Sequence, residues 1–282
     1  MKIGIIGLGL IGGSLAKTIK THTDASVVGF DISPTTLNKA KLLGAVDQAM
    51  DEQNLKECDL VFVALYPADT VEFVKKQAAN FKPGAIIMDC CGVKRAVCEP
   101  LHDFCYHKKI WFIGAHPMAG REYSGFDYSK TDLFVNASMI LTPYSYIPLE
   151  ITQRAKQFCQ QIGFGTVVIT TPAEHDKMIA YTSQLAHVVS SSYVKSPGAQ
   201  KHNGFSAGSY LDMTRVARLN ETMWSELFLD NADNLGSELD ALIGHLTEYR
   251  DAIRAGDREA LAALLQNGRQ LKEAADPTPE EL

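Results

Sequence analysis

The chain has 282 residues, of which 46% are hydrophobic and 21% charged, so it is long enough to form two globular domains. Its formal net charge of −6 argues against nonspecific binding of nucleic acid, and no apolar run approaches the ~20 residues needed to cross a membrane. The sequence opens directly on an apolar strand with no visible signal peptide, and its six cysteines form no C-x-x-C pair, so we expect a cytoplasmic protein with reduced thiols and no metal site.

The first predicted elements are a strand at residues 2–8 and a glycine-rich turn that leads into a helix. Gly7 permits the tight turn, Gly9 lets the backbone approach a pyrophosphate, and Gly12 lets the helix pack close to the strand. Asp31 ends the next strand, where a carboxylate accepts hydrogen bonds from the adenosine ribose, and no arginine follows it. The pattern predicts a site for NAD rather than NADP, and the alternative is a glycine-rich turn in an unrelated α/β protein. The predicted cofactor-binding residues are Gly7, Gly9, Leu10, Ile11, Gly12 and Asp31.

Strands and helices alternate up to residue 172, which predicts a doubly wound α/β domain of the Rossmann type over residues 1–172. Several strands are continuous apolar runs, as expected for a parallel sheet covered on both faces. The segment 119–136 is polar, aromatic and glycine-bearing, and we interpret it as a long functional loop. The predicted strands cover residues 2–8, 26–30, 60–65, 85–89, 110–115, 138–142 and 166–171.

Beyond residue 172 the strand pattern stops, and residues 173–282 are predicted to form a helical substrate and dimerisation domain with a short acidic tail. The helix from Met223 to Leu246 is apolar on more than one face, which favours burial against a second subunit in a homodimer. The alternative is a monomer in which this helix packs on its own α/β domain. Helical spacing of apolar residues covers 175–195, 220–246 and 258–271.

Four residues outside the glycine turn are candidates for chemistry. His116 follows a strand at its carboxyl end, where ligands bind in open α/β sheets, and imidazole titrates near neutral pH. His187 lies in an apolar helix, and Trp224 begins the long helix. Arg215 is flanked by apolar side chains, so we expect it to be partly buried and to need an anion as a partner. Each has a structural alternative: a histidine that caps a turn, a core histidine, an arginine paired with Asp212, and ordinary core packing.

Four sequence motifs occur together along the chain. They are Gly7-Leu-Gly-Leu-Ile-Gly-Gly-Ser-Leu-Ala, His116-Pro-Met-Ala-Gly, Thr182-Ser-Gln-Leu-Ala-His, and Asp212-Met-Thr-Arg-Val-Ala followed by Met223-Trp. In this order they resemble the prephenate/arogenate dehydrogenase family over residues 1 to about 270. The resemblance implies an N-terminal Rossmann-type domain and a helical C-terminal domain that forms an intertwined homodimer, in agreement with the predicted elements.

The resemblance also implies roles for single residues. His116 matches the catalytic histidine that contacts the ring hydroxyl of the substrate. Arg215 matches an arginine that binds a substrate carboxylate. The other implied substrate-binding residues are His187 in the pocket, Glu122 at its rim, Gly208, whose backbone approaches the substrate, and Trp224, which can reach the partner subunit's pocket.

One motif departs from the family pattern. Members commonly have Asp-x-Gly-Ser-Val-Lys after the fifth strand, where the serine orients the catalytic histidine. Here the segment is Asp89-Cys-Cys-Gly-Val-Lys, and Gly92 stands in the serine's place. Cys91, a water or another side chain then has to orient His116, or that role is unfilled.

The reaction implied by the resemblance is the NAD-dependent oxidative decarboxylation of prephenate to 4-hydroxyphenylpyruvate, a step of tyrosine biosynthesis. Arogenate, which carries an amine where prephenate carries a ketone, would give tyrosine instead, and the residues do not settle this choice. A Rossmann-type domain followed by helices also fits a β-hydroxyacid or imine dehydrogenase, or a non-catalytic NAD-responsive regulator. The regulator would need a basic binding face, which the C-terminal half of the sequence lacks.

Overall fold

The computed structural model describes residues 1–120 and 123–275. They form two compact units, residues 1–232 and the segment from Asp233 onward. The first unit contains the sheet and the helices up to Leu229, and the second contains two long helices. The domain boundary predicted between residues 172 and 173 stays a prediction. Glu122 and the acidic tail from residue 276 lie outside the described residues.

An eight-stranded sheet lies at the centre of the first unit. Its strands are β1 (Lys2–Ile6), β2 (Ser26–Phe30), β3 (Gln48–Ala49), β4 (Leu60–Val63), β5 (Ile86–Asp89), β6 (Trp111–Pro117), β7 (Ser138–Thr142) and β8 (Thr166–Ile169). They are ordered β3-β2-β1-β4-β5-β6-β7-β8, and all neighbours are parallel except β6 and β7. The strand order reverses between β1 and β4, which is the switch point where ligands bind in doubly wound sheets.

Continuous apolar sequences explain why the central strands form. Every residue of β4 and β5 is buried, and so are the last four residues of β1. Ile5 and Phe62 belong to one buried apolar cluster, whereas Val61 and Ile87 belong to a second one. Since successive side chains of a strand point to opposite faces, the sheet is covered on both sides, as predicted for parallel strands.

Helices connect most of the strands. They are α1 (Leu10–His22), α2 (Pro34–Leu42), α3 (Glu52–Leu55), α4 (Pro67–Gln77), α5 (Arg95–Lys108) and α6 (Leu149–Gln161). The connection from β6 to β7 differs, because its described residues contain only a single turn of 3-10 helix, Phe126–Tyr128. Parallel neighbours need a long crossover that is usually helical, so this irregular loop agrees with the antiparallel pairing of β6 and β7.

The described residues beyond β8 contain helices and no strand, as predicted. They are α7 (Pro172–Ile179), a π-helical turn (Ala180–Leu185), α8 (Ala186–Tyr193), a 3-10 turn (Pro197–Lys201), α9 (Gly208–Thr214), α10 (Glu221–Leu229), α11 (Ala232–Ala255) and α12 (Arg258–Ala275). None of the helices in the described part of the chain has the length and apolar character required to cross a membrane.

The prediction of one continuous helix from Met223 to Leu246 is wrong. The helix is interrupted between α10 and α11, where the side chain of Asn231 is completely buried. Its amide nitrogen donates to the carbonyl oxygen of Asp176 and to Oε1 of Gln184, both at 2.8 Å. These partners lie far away in the sequence, so the local apolar spacing carried no sign of the break.

Several strand limits also differ from the sequence predictions. β1, β4 and β8 each end two residues earlier than predicted, and the two-residue strand β3 was not predicted. β6 continues as far as Pro117, so that His116 lies within the strand rather than after it. Five of the six cysteines are buried, and Cys90 is half-buried.

Candidate active site

A glycine turn links β1 to α1. Gly7 has a φ of +82°, and a Cβ on it would lie 2.5 Å from the carbonyl oxygen of Ala64. A Cβ on Gly12 would lie 1.8 Å from the carbonyl oxygen of Gly7, so only glycine allows α1 to approach this closely. At Gly9, by contrast, none of the described atoms lies within 4 Å of the Cβ position. The turn is therefore tightly packed on its protein side and open at Gly9.

The N-terminus of α1 is open to an anion. No described side chain forms a hydrogen bond that caps the helix at Gly9, and the first turn contains no acidic residue. The N–H groups of a first helical turn lack partners within the helix, and the helix dipole favours negative charge there. Leu10 and Ile11 belong to this first turn and are half-buried. The terminus therefore fits a phosphate group.

Asp31 follows β2 directly, next to the glycine turn. One carboxylate oxygen accepts the N–H of Leu8 and the other accepts the N–H of Ser33, both at 2.8 Å. Because a carboxylate has about four acceptor positions, it can still accept hydrogen bonds from the hydroxyl groups of a ribose. The side chain is only half-buried. The turn, the helix terminus and this carboxylate together fit a dinucleotide such as NAD.

His116 lies at the carboxyl end of β6, on the same edge of the sheet as the glycine turn. A fully buried ion pair between Asp89 and Lys94 holds this strand end. Asp89 accepts the N–H of Ala115 at 2.8 Å, and Lys94 donates to the carbonyl oxygen of Ala115 at 2.6 Å. Although burial alone would lower it, the charge of Asp89 raises the pKa of Lys94. The residue before His116 is thus fixed through both of its backbone polar groups.

A chain of hydrogen bonds runs from His116 into the protein. Nδ1 of His116 lies 2.9 Å from Nε2 of His175, and Nδ1 of His175 lies 2.7 Å from Oδ1 of Asp176. The N–H groups of Lys94 and Arg95 donate to the two carboxylate oxygens of Asp176 at 2.7 and 2.8 Å. His175 and Asp176 are buried, whereas His116 is half-buried. One ring nitrogen of His116 is therefore engaged inside the protein.

Burial lowers the pKa values of both of these histidines, which favours their neutral forms. Burial, the nearby His175 and the charge of Lys94 lower the pKa of His116 well below its usual range. Burial also lowers the pKa of His175, and its hydrogen bond with Asp176 opposes that effect. Burial alone would raise the pKa of Asp176, but the hydrogen bonds from His175, Arg95 and Lys94 lower it. At neutral pH the row of hydrogen bonds therefore links two uncharged imidazoles, those of His116 and His175, to the carboxylate of Asp176.

Gly92 lies beside the other ring nitrogen of His116. A Cβ at this glycine would be 3.9 Å from Nε2 of His116, so a serine hydroxyl here would come within reach of the ring. Cys91 does not take the place of that hydroxyl, because its Sγ lies 3.5 Å from Oγ1 of Thr70 and 3.4 Å from a backbone carbonyl oxygen. The ring contact that the sequence left open comes instead from His175, on the Nδ1 side.

A second cluster contains three of the predicted substrate-binding residues. The ring of His187 stacks on that of Trp224, with the centroids 4.0 Å apart. Nδ1 of His187 lies 2.8 Å from the carbonyl oxygen of Ser183 in the π-helical turn. Burial and the charge of Arg215 lower the pKa of His187, against the opposing effect of the Ser183 carbonyl. Arg215 is therefore close enough to act electrostatically on this histidine.

The partial burial predicted for Arg215 is wrong, because the residue is exposed in this chain. It follows α9, a helix of seven residues of which none is buried, so its apolar neighbours do not form a core around it. Gly208 begins the same helix and is also exposed.

Helix α10 joins the two clusters. Leu227 lies one turn after Trp224 on this helix, and it is buried. Its side chain lies 3.6 Å from the Cβ position of Gly92, next to His116. Gln184 of the π-helical turn donates to the carbonyl oxygen of Leu227 at 2.8 Å. Trp224 is thereby placed one helical turn away from Leu227, which packs beside Gly92.

His175 and Asp176 were not predicted as site residues. The only signal in the sequence was the position of two adjacent ionisable residues at the start of a predicted helix, with His175 four residues before the apolar Ile179. That spacing places His175 on the buried face of α7, and a buried ionisable side chain needs a partner.

Two family models match the chain. The model described as the nucleotide-binding domain of prephenate dehydrogenase matches residues 15–170. The model described as the dimerization domain of prephenate dehydrogenase matches residues 171–267.

Similar proteins cover nearly the whole chain. The cyclohexadienyl dehydrogenase of Zymomonas mobilis subsp. mobilis is 32% identical over 92% of this chain and 90% of that protein. The prephenate dehydrogenase of Lactococcus lactis subsp. cremoris is 29% identical over 98% of this chain and 77% of that protein. A crystal structure of prephenate dehydrogenase from A. aeolicus, in complex with hydroxyphenyl propionate and NAD+, is 26% identical over 98% of each chain, with a TM-score of 0.86. These matches confirm the predicted fold class, and the chain belongs to the prephenate dehydrogenase family.

Proposed function

We propose that the protein catalyses the NAD-dependent oxidative decarboxylation of prephenate, with 4-hydroxyphenylpyruvate, carbon dioxide and NADH as products. The observation that carries the proposal is the state of His116, a neutral imidazole at the carboxyl edge of the sheet. Its Nδ1 is engaged by His175, so that Nε2 is left for a proton from a substrate. The prephenate dehydrogenases among the similar proteins support this reaction.

The glycine turn, the start of α1 and Asp31 would hold the cofactor. The N–H groups of the first helical turn, from Gly9 through Gly12, would bind the pyrophosphate, and Asp31 would accept hydroxyl groups of the adenosine ribose. When bound, NAD supplies the acceptor for the hydride that leaves the ring carbon bearing the hydroxyl. The NAD+ in the A. aeolicus complex supports this choice of cofactor.

His116 would act as the base on the ring hydroxyl. Nε2 would take the hydroxyl proton while the C–O bond acquires carbonyl character. The ring carboxylate then leaves as carbon dioxide, and the electrons of the broken C–C bond make the ring aromatic. His116 would return the proton to the resulting phenolate oxygen. Proton transfer by a positioned group of this kind contributes typically ~10²–10⁴ to the rate.

Arg215 would bind one of the two carboxylates of prephenate. Because the protein carries a net charge of −6, a dianionic substrate needs a local positive charge. Arg215 is exposed, and its charge lowers the pKa of His187. A carboxylate bound to Arg215 would therefore lie beside the stacked pair of His187 and Trp224. Gly208 and Glu122 stay predicted substrate contacts, and so does the reach of Trp224 into a partner subunit.

We expect a homodimer, and the match to a dimerization domain supports that assembly. A cytoplasmic location stays a prediction from the sequence.

The test is to incubate the purified protein with NAD and prephenate and to follow the absorbance band of NADH. Chromatography then identifies 4-hydroxyphenylpyruvate as the product. Parallel reactions with arogenate measure the selectivity for the substrate, and reactions with NADP in place of NAD measure the selectivity for the cofactor. A higher kcat/KM for arogenate would favour the tyrosine-forming reaction. Absence of NADH with both substrates would contradict the proposal.

A further inference from the structure

We propose that His175 and Asp176 are positioning residues that hold His116 with its proton on Nδ1 and its lone pair on Nε2. The inference rests on the proposed function in one respect, since it makes Nε2 the atom that accepts the proton of the substrate. It also assigns to these two residues the orienting role that a serine at position 92 would otherwise have.

The proton positions on the two rings follow from Asp176, the carboxylate at the inner end of the row of hydrogen bonds. Asp176 is buried, and its two oxygens accept N–H groups from Lys94 and Arg95, so the ionised carboxylate can only accept from His175. Nδ1 of His175, at 2.7 Å, therefore carries the proton. Because His175 is neutral, its Nε2 has a lone pair and acts as an acceptor.

The same argument fixes the proton position on the ring of His116. Nε2 of His175 accepts, so Nδ1 of His116, at 2.9 Å, must donate. His116 is also neutral, and its Nε2 consequently has no proton. The opposite tautomer would place two lone pairs against each other in a buried contact, which would lose the hydrogen bond and leave both nitrogens unsatisfied. The carboxylate thus sets the tautomer of a ring that it does not touch.

The same row of hydrogen bonds stabilises the protonated form of His116. The imidazolium would donate through Nδ1 to His175, which in turn donates to the negative charge of Asp176. The positive charge of Lys94 opposes this effect, but Lys94 is paired with Asp89. Among the described residues, the ionisable groups that act on the ring of His116 are His175 and Lys94, and those that act on the ring of His175 are Asp176, Lys94 and Asp89. The arrangement resembles a carboxylate that orients a catalytic imidazole, extended here by one additional ring.

Two substitutions at one position separate the acceptor from the rest of the chain. His175→Gln and His175→Phe both remove the ring N–H that Asp176 accepts, so they disturb that carboxylate in the same way. The glutamine amide oxygen can still accept from Nδ1 of His116, whereas the phenylalanine ring cannot. The comparison therefore isolates the hydrogen bond to His116 from any general effect on packing.

The first measurement is the ring ¹⁵N NMR spectrum, with the signals of His116 assigned by comparison with His116→Asn. We expect the wild type and His175→Gln to show a proton on Nδ1 of His116, and His175→Phe to show a mixture of tautomers or the Nε2–H form. The second measurement is kinetic. His175→Phe should lower kcat at least about tenfold relative to His175→Gln, with KM for NAD within about twofold, because the tautomer affects the chemical step and not cofactor binding.

Two results would overturn the inference: an unchanged His116 spectrum in His175→Phe, or equal kcat values for the two variants. If His175→Phe does not fold, His175→Met provides a second side chain that lacks a nitrogen or oxygen acceptor. The outcome is separable from that of the proposed function. A wild-type protein that makes no NADH would contradict the function, while the NMR spectra would still decide the tautomer.

Discussion

The imidazole of His187 stacks on the indole of Trp224, with their ring centroids 4.0 Å apart and their planes inclined by 30°. Phe228 extends the aromatic surface, because its ring lies 5.3 Å from that of Trp224. The stack connects α8 to α10, and the charge of Arg215 acts on the same imidazole. It therefore combines an apolar wall with a cation, a combination suited to a carboxylic acid with an unsaturated ring.

Removing the indole of Trp224 should weaken the binding of prephenate beside His187. We expect Trp224→Ala to raise KM for prephenate about 2- to 10-fold, since an aromatic pair contributes ~0.5–1.5 kcal/mol, with a smaller effect on kcat. The pKa of His187 should also rise, because burial is the main cause that lowers it. Steady-state kinetics and NMR titration measure both effects. Trp224→Phe keeps an aromatic ring and serves as the matched control. An alanine variant with wild-type KM and an unchanged His187 pKa would restrict Trp224 to a packing role.

His116→Asn should lower kcat by about two orders of magnitude or more, because the variant lacks the proton acceptor. NAD binding should stay close to normal, since the cofactor residues are at the glycine turn and Asp31. Single-turnover rates and NAD titrations by fluorescence test the two halves separately. His107→Asn, an exposed histidine at the far end of α5, should behave like the wild type. A turnover that barely changes in His116→Asn would make His116 a structural residue.

The apolar strands and the glycine turn could be predicted from the sequence because their signals are local. A continuous apolar run indicates a strand buried on both faces, and the spacing from Gly7 to Asp31 lies within one βαβ unit. The break at Asn231 could not be predicted, since its cause is a set of hydrogen bonds to residues 47 and 55 positions away.

The same difference applies to the site. His116 could be found from its position at a strand end. Its partner His175 is 59 residues away in the sequence, on a different element, and only the folded chain brings the two rings together. Gly92 indicated correctly that an orienting group was missing at its own position. The sequence did not indicate that a replacement acts from the opposite side of the ring.

Cofactor selectivity should depend on Asp31. We expect the wild type to have a kcat/KM for NAD at least about tenfold higher than for NADP, because a 2′-phosphate would face this carboxylate. Asp31→Ser should reduce that ratio by lowering the efficiency with NAD, and it should also weaken the turn, since Asp31 accepts the N–H groups of Leu8 and Ser33. Asp24→Ser, an exposed acidic residue before β2, is the control. Equal efficiency with both cofactors in the wild type would refute the prediction.

Arg215→Ala should act mainly on the affinity for prephenate. If the bound substrate excludes water from this contact, its loss costs ~2 kcal/mol or more, which corresponds to about a 30-fold increase in KM, with kcat changed much less. Arg218→Ala, three residues further along, should leave KM within a few fold of the wild type. Equal KM increases in both variants would indicate general electrostatic attraction of the dianion rather than a specific contact at Arg215.

The stability of the protein should fall below about pH 6.5. Burial lowers the pKa values of His116, His175 and His187 in the folded protein, whereas an unfolded histidine has a pKa of ~6.5. Below that pH the unfolded chain binds more protons than the folded one, so the free energy of unfolding decreases by up to about 1.4 kcal/mol per pH unit for each histidine. Above it, neither state is protonated and the three residues contribute no pH dependence.

Urea denaturation at about pH 7.5, 6 and 5 measures this effect through the midpoint and its extrapolated free energy. Asp176 does not add to it in this range, because its lowered pKa keeps the carboxylate ionised until a much more acidic pH. His116→Asn removes one of the three groups and should make the loss between pH 7.5 and 5 smaller, whereas the exposed His107→Asn should preserve it. Equal stability at the three pH values in the wild type, or an unchanged slope in His116→Asn, would show that folding does not lower the pKa of His116 and would contradict the prediction.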